Sequence, residues 1–182
     1  MLSDEATSAL VHRARRGEPA AFEALVRAYL RPTYAVALAI VGRPADAEDV
    51  AQDALVLAFE RLDSCREPGR FAAWLLQIAR NQAKNWLDRR KLRDVPADDG
   101  GAEPIDPAAQ PDAGVERRGL LRALWALRPA EREVVLLHDL EGWTHGEIAA
   151  ALGISEVHSR QHLFQARQRL RAALGAAAEG EA

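Results

Sequence analysis

A stretch rich in proline, glycine and acidic residues separates two helix-forming regions, and it constrains this chain more than any other feature. Val95–Gly114 holds four prolines and three glycines and has almost no apolar periodicity. Such a segment does not bury enough apolar surface to offset the entropy lost on ordering. We therefore expect an acidic flexible linker at 93–114 that joins two small domains, 1–92 and 115–175, followed by a short tail, 176–182.

The composition around this linker predicts an all-α fold. Hydrophobic residues make up 48% of the chain but aromatic residues only 5%, and alanine, leucine, arginine and glutamate are frequent. These residue types lose little conformational freedom in a helix. Runs of alternating β-branched residues, which would predict strands, are missing from the sequence.

Cysteine content and hydropathy exclude several classes of protein. The single cysteine, Cys65, excludes an internal disulfide framework and a cysteine-based zinc site. It sits in a loop, where an ordinary reduced thiol is the simpler interpretation and a redox role the alternative. The first residues mix charges and lack the apolar core of a signal peptide. No apolar run approaches the length of roughly 18 residues that is needed to span a bilayer. We therefore expect a cytoplasmic protein without membrane insertion.

The first region has the periodicity of a helical bundle. Apolar residues recur at helical spacing in 20–41, and Gly42–Pro44 breaks that helix. A second helix follows, with Val50, Ala54 and Leu62 on one face. A loop at 63–69 then leads into a long helix at about 70–91. Trp74 lies in the apolar stripe of that helix, so a place in the core is the simpler reading and base stacking the alternative.

The second region has the start and stop signals of a helix-turn-helix. Thr144 followed by Glu147 forms a capping box, and Gly153 is suited to the left-handed turn that ends a short helix. Ser155 then caps a final helix that continues to about Leu174. A second helix that is basic after such a turn is typical of DNA-binding proteins, although an αα-hairpin with a solvated arginine face has a similar pattern.

The uneven charge also favours a nucleic-acid partner. The chain carries −3 overall, but 93–116 accounts for −6, which leaves +3 on the remainder. Six basic residues and one acid lie in 70–91, and 157–171 has four arginines, two histidines and no acid. Local charge decides binding to a polyanion more than net charge does.

Several blocks of this sequence resemble the extracytoplasmic-function group of sigma factors in the sigma-70 family. Leu127–Leu137 (LRPAEREVVLL) and Glu141–Ser155 (EGWTHGEIAAALGIS) resemble region 4 of that group. Asp46–Asp53 (DAEDVAQD) resembles its region 2 signature, and Phe71–Asn81 (FAAWLLQIARN) resembles its promoter-melting segment. The blocks cover roughly 20–174 in the family's order. The resemblance implies a factor that binds core RNA polymerase, recognises the −10 and −35 promoter elements and helps to melt the DNA.

The resemblance implies three surfaces. The first is an acidic and polar helix face that docks on the clamp helices of the polymerase β′ subunit: Asp46, Glu48, Asp49, Gln52 and Asp53. The second contacts the −10 element, with a loop that holds a flipped base: Ser64, Arg66, Arg70, Arg80, Asn81, Lys84, Arg89 and Arg90. The third contacts the −35 element: Thr144, His158, Arg160, Gln161, His162, Phe164, Gln165 and Arg167.

The same resemblance names further partners. The β flap of the polymerase and an anti-sigma factor are expected to bind, with inhibition in trans because the tail is short. The acidic linker is expected to thread through the active-site cleft and the RNA-exit path, although a solubilising linker has the same composition.

This sequence departs from the family pattern at two places. Gln161 and Gln165 stand where serine and arginine are usual, and glutamine bonds adenine bidentately. We therefore expect a −35 sequence different from the commonest family motif. Asn85 and Asp88 stand where an aspartate and a basic residue are usual, and Asp88 weakens the positive field of the −10 helix.

Other functions have less support in the residues. A non-sigma regulator with a helix-turn-helix output would need a ligand or phosphorylation site in its helical effector domain, and no such motif is visible. An enzyme would need a phosphate loop, a nucleophile motif or a metal cluster. His158 and His162 have a spacing that metals accept, but no third ligand is apparent nearby. We predict no enzyme activity, no cofactor and no metal.

Overall fold

The computed structural model describes residues 2–93 and 115–179, and side chains within 2–90 and 119–174. Most of the predicted linker and the last residues of the tail lie outside the described residues. Within them the chain is helical and has no strand, as predicted. The eight helices are α1 Asp4–Arg15, α2 Pro19–Val41, α3 Pro44–Glu60, α4 Phe71–Arg93, α5 Val115–Trp125, α6 Pro129–Val135, α7 His145–Leu152 and α8 Glu156–Glu179.

Helices α1–α4 form the first bundle, and α1 is a helix that we did not predict. Ser3 caps it by accepting a hydrogen bond from the amide of Ala6, 3.2 Å away. Val11 packs into the core, and the hydroxyls of Thr7 and Tyr29 lie 2.9 Å apart. The signal was present in the sequence, since a serine cap precedes two acids in the first turn.

Helix α2 is the central helix of this bundle and packs on α1, α3 and α4. It corrects the expectation that no run is long enough to span a membrane. Its 23 residues have a mean hydropathy of 1.3 over the most apolar window. Half of that window is buried inside the protein, which is what the core helix of a bundle requires.

Helices α5–α8 form the second bundle, and its caps are those predicted. Thr144 and Glu147 form the capping box, and Gly153 ends α7 with φ of 68°. The Ser155 hydroxyl accepts from the amide of His158 at 3.1 Å, so it caps α8. Two details differ from prediction: α6 continues into a π-helical turn, Leu136–Leu140, and α8 extends to Glu179 rather than ending near Leu174.

The two bundles share one hydrophobic core, which the sequence did not predict. Val36 of α2 and Leu76 of α4 are fully buried in the same cluster as Leu137, Ile148 and Leu152 of the second bundle. Helix α7 packs on α4, and α6 packs on α2. The two bundles therefore pack against each other and are not two separate domains.

Candidate nucleic-acid and polymerase interfaces

Helix α8 presents an exposed N-terminal face of mixed chemistry. Phe164 is 63% exposed, and Arg160 and Gln161 are exposed on the same side. Val157, which we did not predict as a contact, is 68% exposed one turn before them. Leu163 and Ala166 hold the opposite face in the core. An apolar group large enough for a thymine methyl thus stands beside amide and guanidinium donors.

The predicted −35 residues differ in how available they are. Arg160 pairs with Glu156 at 2.6 Å, and Arg167 pairs with Asp139 at 2.6 Å. The Gln165 amide oxygen accepts from Arg128. His162 is half-buried, and its buried Nδ1 has no partner among the described residues. Thr144 and His158 are exposed. Arg160 and Arg167 thus each have a carboxylate partner within the chain.

Two histidines with rings in contact connect α7 to its neighbours behind the α8 face. The rings of His138 and His145 lie 4.8 Å apart, and the His145 Nδ1 lies 2.9 Å from the Ser159 hydroxyl. Burial, together with the nearby charge of His138, lowers the pKa of His145. The hydrogen bond from Arg167 lowers the pKa of Asp139, which His138 also contacts. These contacts fix α8 relative to α7 and the π-helical turn.

The loop predicted to hold a flipped base consists of two short 3-10 turns, Leu62–Ser64 and Pro68–Arg70. Arg15 of α1 ties it down by donating to the carbonyls of Leu62, at 3.1 Å, and Cys65. Ser64, Arg66 and Arg70 are exposed. Arg15 is a positioning residue that the sequence analysis missed, because its partner carbonyls lie far along the chain.

Cys65 lies beneath this loop, not on its surface. Its side chain is buried, and burial raises the pKa of the thiol. Raising that pKa lowers the thiolate fraction and hence reactivity. The structure favours the ordinary reduced thiol over a redox role.

Helix α4 carries the remaining residues predicted to contact the −10 element, and one of them, Arg80, is not available to bind DNA. Asn81, Lys84 and Arg89 are exposed. Arg90 lies over the Trp86 ring, 5.2 Å from its centroid, and 3.5 Å from Asp46. The Arg80 side chain is only 18% exposed, since it is directed into the second bundle. Trp74 packs against Phe71 in the core, which favours the structural reading of that residue.

Arg80 forms an ion pair with Glu133 of α6. Its Nε donates to the Glu133 carboxylate at 2.9 Å, and its Nη2 donates to the same oxygen. Its Nη1 lies 3.4 Å from the carbonyl of Leu152. Burial raises the pKa of Glu133, while the positive charges of Arg80 and Lys84 act in the opposite direction. A basic residue assigned to DNA thus has an acidic partner within the chain.

Helix α3 exposes the polar face predicted for polymerase docking. Glu48, Asp49, Gln52 and Asp53 are exposed, whereas Asp46 is half-buried between Arg43 and Arg90. A shallow cavity of about 300 Å³ adjoins this face, lined by residues that include Leu30, Tyr34 and Gln52. Val56 and Phe59, each 59% exposed, extend the same surface with apolar groups that we did not predict. Acidic and apolar groups together suit a basic amphipathic helix.

Comparison with known proteins agrees with this arrangement. The family model described as Sigma-70 region 2 matches residues 25–93, and that described as Sigma-70, region 4 matches 117–170. The RNA polymerase sigma-E factor of Streptomyces coelicolor is 33% identical over 155 residues, 85% of this chain and 86% of that protein. The probable RNA polymerase sigma factor RfaY of Xanthomonas campestris pv. campestris is 35% identical over 158 residues, and the matched part covers 83% of this chain but only 40% of RfaY.

A solved structure shows the same fold. CnrH, in complex with the cytosolic domain of CnrY, is 28% identical, with a TM-score of 0.68, and the match covers 94% of this chain and 98% of CnrH. Both family models fall on the two bundles in the order of the sequence blocks, and relatives across most of the chain are sigma factors. The chain therefore belongs to the sigma-70 family of RNA polymerase sigma factors, within its extracytoplasmic-function group.

Proposed function

We propose that this chain starts transcription by docking on core RNA polymerase and reading a promoter with both halves. The observation that carries the proposal is the combination, in one chain, of an exposed acidic face on α3 and two basic elements, the loop with α4 and helix α8. In this proposal α3 contacts the β′ clamp helices, the loop and α4 take the opened −10 strand, and α8 lies in the −35 major groove. The β flap contacts the second half.

Further assignments follow from this role. The chain acts by binding, and the chemistry of RNA synthesis belongs to the polymerase, so we propose no catalytic residue, metal or cofactor. We propose that it acts in the cytoplasm and that an anti-sigma factor restrains it. CnrH, the similar solved protein, is bound to the cytosolic domain of CnrY, which supports the last point. We place the two functional halves at 1–92 and 115–175.

Transcription in vitro tests the proposal directly. Core polymerase, a library of promoter sequences and the full chain are expected to yield start sites that neither protein produces alone. A non-sigma regulator would bind DNA without core polymerase and would create no new start site. Absence of every chain-dependent start site would contradict the proposal.

A test of the α3 face uses variants in the same reaction. Asp49→Lys places a positive charge on the docking face, and we expect it to abolish core binding because the proposed partner helix is basic. Glu5→Lys makes the same charge change at an exposed residue of a different helix, α1, so it serves as the matched control. Equal loss of core binding in both variants would assign the effect to net charge alone.

A further inference from the structure

A cavity of about 620 Å³ lies between helix α4 of the first bundle and helices α5 and α6 of the second. None of its described lining residues belongs to α3 or to α8. Its charged lining is mostly basic, with Arg80, Lys84 and Arg132 against one carboxylate, Glu133. Pockets of about 300–1,000 Å³ with a few well-placed polar groups are typical of small-molecule sites. This cavity has the volume and the excess of positive charge to take a small anion.

The carboxylate of Glu133 does not cancel the basic lining, because Arg80 already pairs with it. Two donors of the Arg80 guanidinium bond to one Glu133 oxygen, the Nε at 2.9 Å. Lys84 is exposed and its charge acts on Glu133, but it forms no hydrogen bond or ion pair with a described side chain. Lys84 and Arg132 therefore supply two positive charges that the Arg80–Glu133 pair leaves over.

Arg132 is a buried cation whose hydrogen bonds are incomplete. Its guanidinium lies over the Trp125 ring, 3.7 Å from the centroid, and its Nη1 donates to the Trp125 carbonyl at 3.2 Å. Its Nε is buried and has no partner among the described residues. Burial lowers the pKa of Arg132 to about 10, so the side chain stays charged near pH 7. A buried charge without a full set of partners costs free energy, and an anion in the adjoining cavity would offset that cost.

We propose that this cavity binds a small phosphorylated ligand, with its terminal phosphate between Lys84 and Arg132. Guanidinium and ammonium groups are the side-chain groups that bind phosphate oxygens most strongly. Two cations also match the charge of a phosphate monoester, which is about −2 at neutral pH. Such a ligand goes beyond the proposed function, and its binding does not require polymerase or a promoter.

The burial of Arg132 favours a terminal phosphate over the backbone of a nucleic acid. A phosphodiester continues in both directions from its phosphate, whereas Arg132 is only 7% exposed and is reached more easily by a group with one free end. The cavity is also larger than a phosphate ion, and Leu87 and Trp125 line it with apolar surface. An aromatic body attached to the phosphate would cover that surface. Nucleoside monophosphates combine the two features.

Calorimetric titration of the full chain at constant ionic strength tests the site with inorganic phosphate, adenosine monophosphate and adenosine. We expect both phosphate compounds to bind and to raise the melting temperature by mass action, and we expect adenosine not to bind. Tighter binding of adenosine monophosphate than of inorganic phosphate would identify a phosphate monoester as the ligand, and equal affinities would identify free phosphate. Adenosine binding as tightly as its monophosphate would overturn the proposal, as would no binding of either phosphate compound at millimolar concentration.

Two variants, one in each half, remove the proposed phosphate contacts. Arg132→Met keeps a long apolar side chain over the Trp125 ring but removes the charge, and Lys84→Gln removes the charge of an exposed side chain. Each should weaken phosphate binding more than about tenfold, because a hydrogen bond to a charged group is lost. The matched control is Arg89→Gln, the same loss of charge at an exposed residue of α4 outside the cavity lining. Since Lys84 is also predicted to contact the −10 element, the variants are compared by ligand binding and not by transcription.

Equal phosphate affinities in the wild type and all variants would indicate an adventitious ion only and would overturn the site. If circular dichroism shows that Arg132→Met does not fold, the comparison of Lys84→Gln with Arg89→Gln decides. A single-stranded oligonucleotide that loses affinity in Arg132→Met, while phosphate binding is unchanged, would assign Arg132 to DNA and overturn the small ligand. Failure of the wild type to support core-dependent transcription would overturn the proposed function instead, and the titrations would still decide whether the cavity binds phosphate.

Discussion

At the scale of single residues, the helix-turn-helix depends on the side chains packed behind the exposed face of α8 as much as on those that form the face. His145 lies against Ser159 and His138, so protonation of its ring places a charge in a partly desolvated site. The charges of His138, Arg160 and Arg167 all disfavour the protonated form, and only Glu156 favours it. Burial and these charges together lower the pKa of His145, so the folded helix-turn-helix favours the neutral imidazole.

This arrangement predicts a pH dependence of stability. The pKa of His145 is lowered in the folded state, so the unfolded chain binds more protons as the pH falls below about 6.5, the ordinary histidine value. The stabilisation is present above that pH and is lost as the pH falls through the folded-state pKa. We expect the melting temperature to be lower at pH 5.5 than at pH 7.5. His145→Gln should reduce this difference, and His12→Gln, at an exposed histidine, should not. If both variants showed the same difference in melting temperature between pH 5.5 and pH 7.5, groups other than His145 would cause the pH dependence.

The α8 face itself predicts specificity. Gln161 is exposed, and a bidentate bond from glutamine to adenine is worth about 1–3 kcal/mol against the wrong base. Gln161→Ala should relax selection at one position of the −35 element in a binding selection, without changing the others. Gln168→Ala is the control, because Gln168 is exposed on the same side but about two turns further from the N-terminal end that reads base edges. Recovery of the common family motif by the wild type would refute the predicted difference in −35 sequence.

At the scale of elements, helix α7 depends on its cap. The Thr144 hydroxyl accepts from the amide of Glu147 at 3.3 Å, and the Glu147 carboxylate accepts from the amide of Thr144 at 2.7 Å. Thr144→Ala should cost about 1 kcal/mol of unfolding free energy, measured by urea denaturation, and should weaken −35 binding. Thr144→Ser should restore both. Ser3→Ala removes the cap of α1 instead, so it should lower stability without affecting −35 binding. Equal weakening of −35 binding by Ser3→Ala would show that general stability, not the α7 cap, sets the affinity.

The elements also show what the sequence predicts and what it does not. The Thr144 cap and the Gly153 turn depend on residues within three or four positions, so their chemistry is readable locally. The contact of Gly42 with Trp125 joins residues 83 positions apart, and nothing in either local sequence specifies it. Arg80 illustrates the same limit. Its basic side chain predicted a contact with DNA, but in the structure it forms an ion pair with Glu133. Short-range signals thus predicted every helix except α1, and long-range packing decided which basic side chains are exposed.

At the scale of the whole molecule, one core holds two units that each match a separate family region. The first bundle also has a buried cluster of its own, which includes Tyr29 and Phe71. The shared cluster adds a coupling between the two units, and the contacts of Gly42 with Trp125 and of Arg80 with Glu133 join the same two units.

The coupling predicts how the chain unfolds. A shared core makes the opening of one half expose apolar surface of the other, so we expect a single transition in calorimetry for the wild type. Gly42→Ala and Glu133→Gln should split or broaden that transition, because each half then unfolds with its own stability. Gly17→Ala should lower the midpoint and keep a single transition, since it strains the backbone without touching the second half. A wild-type chain that already shows two transitions would mean that the halves are uncoupled in solution. A split in Gly17→Ala would mean that backbone strain alone, rather than loss of a contact between the halves, separates them.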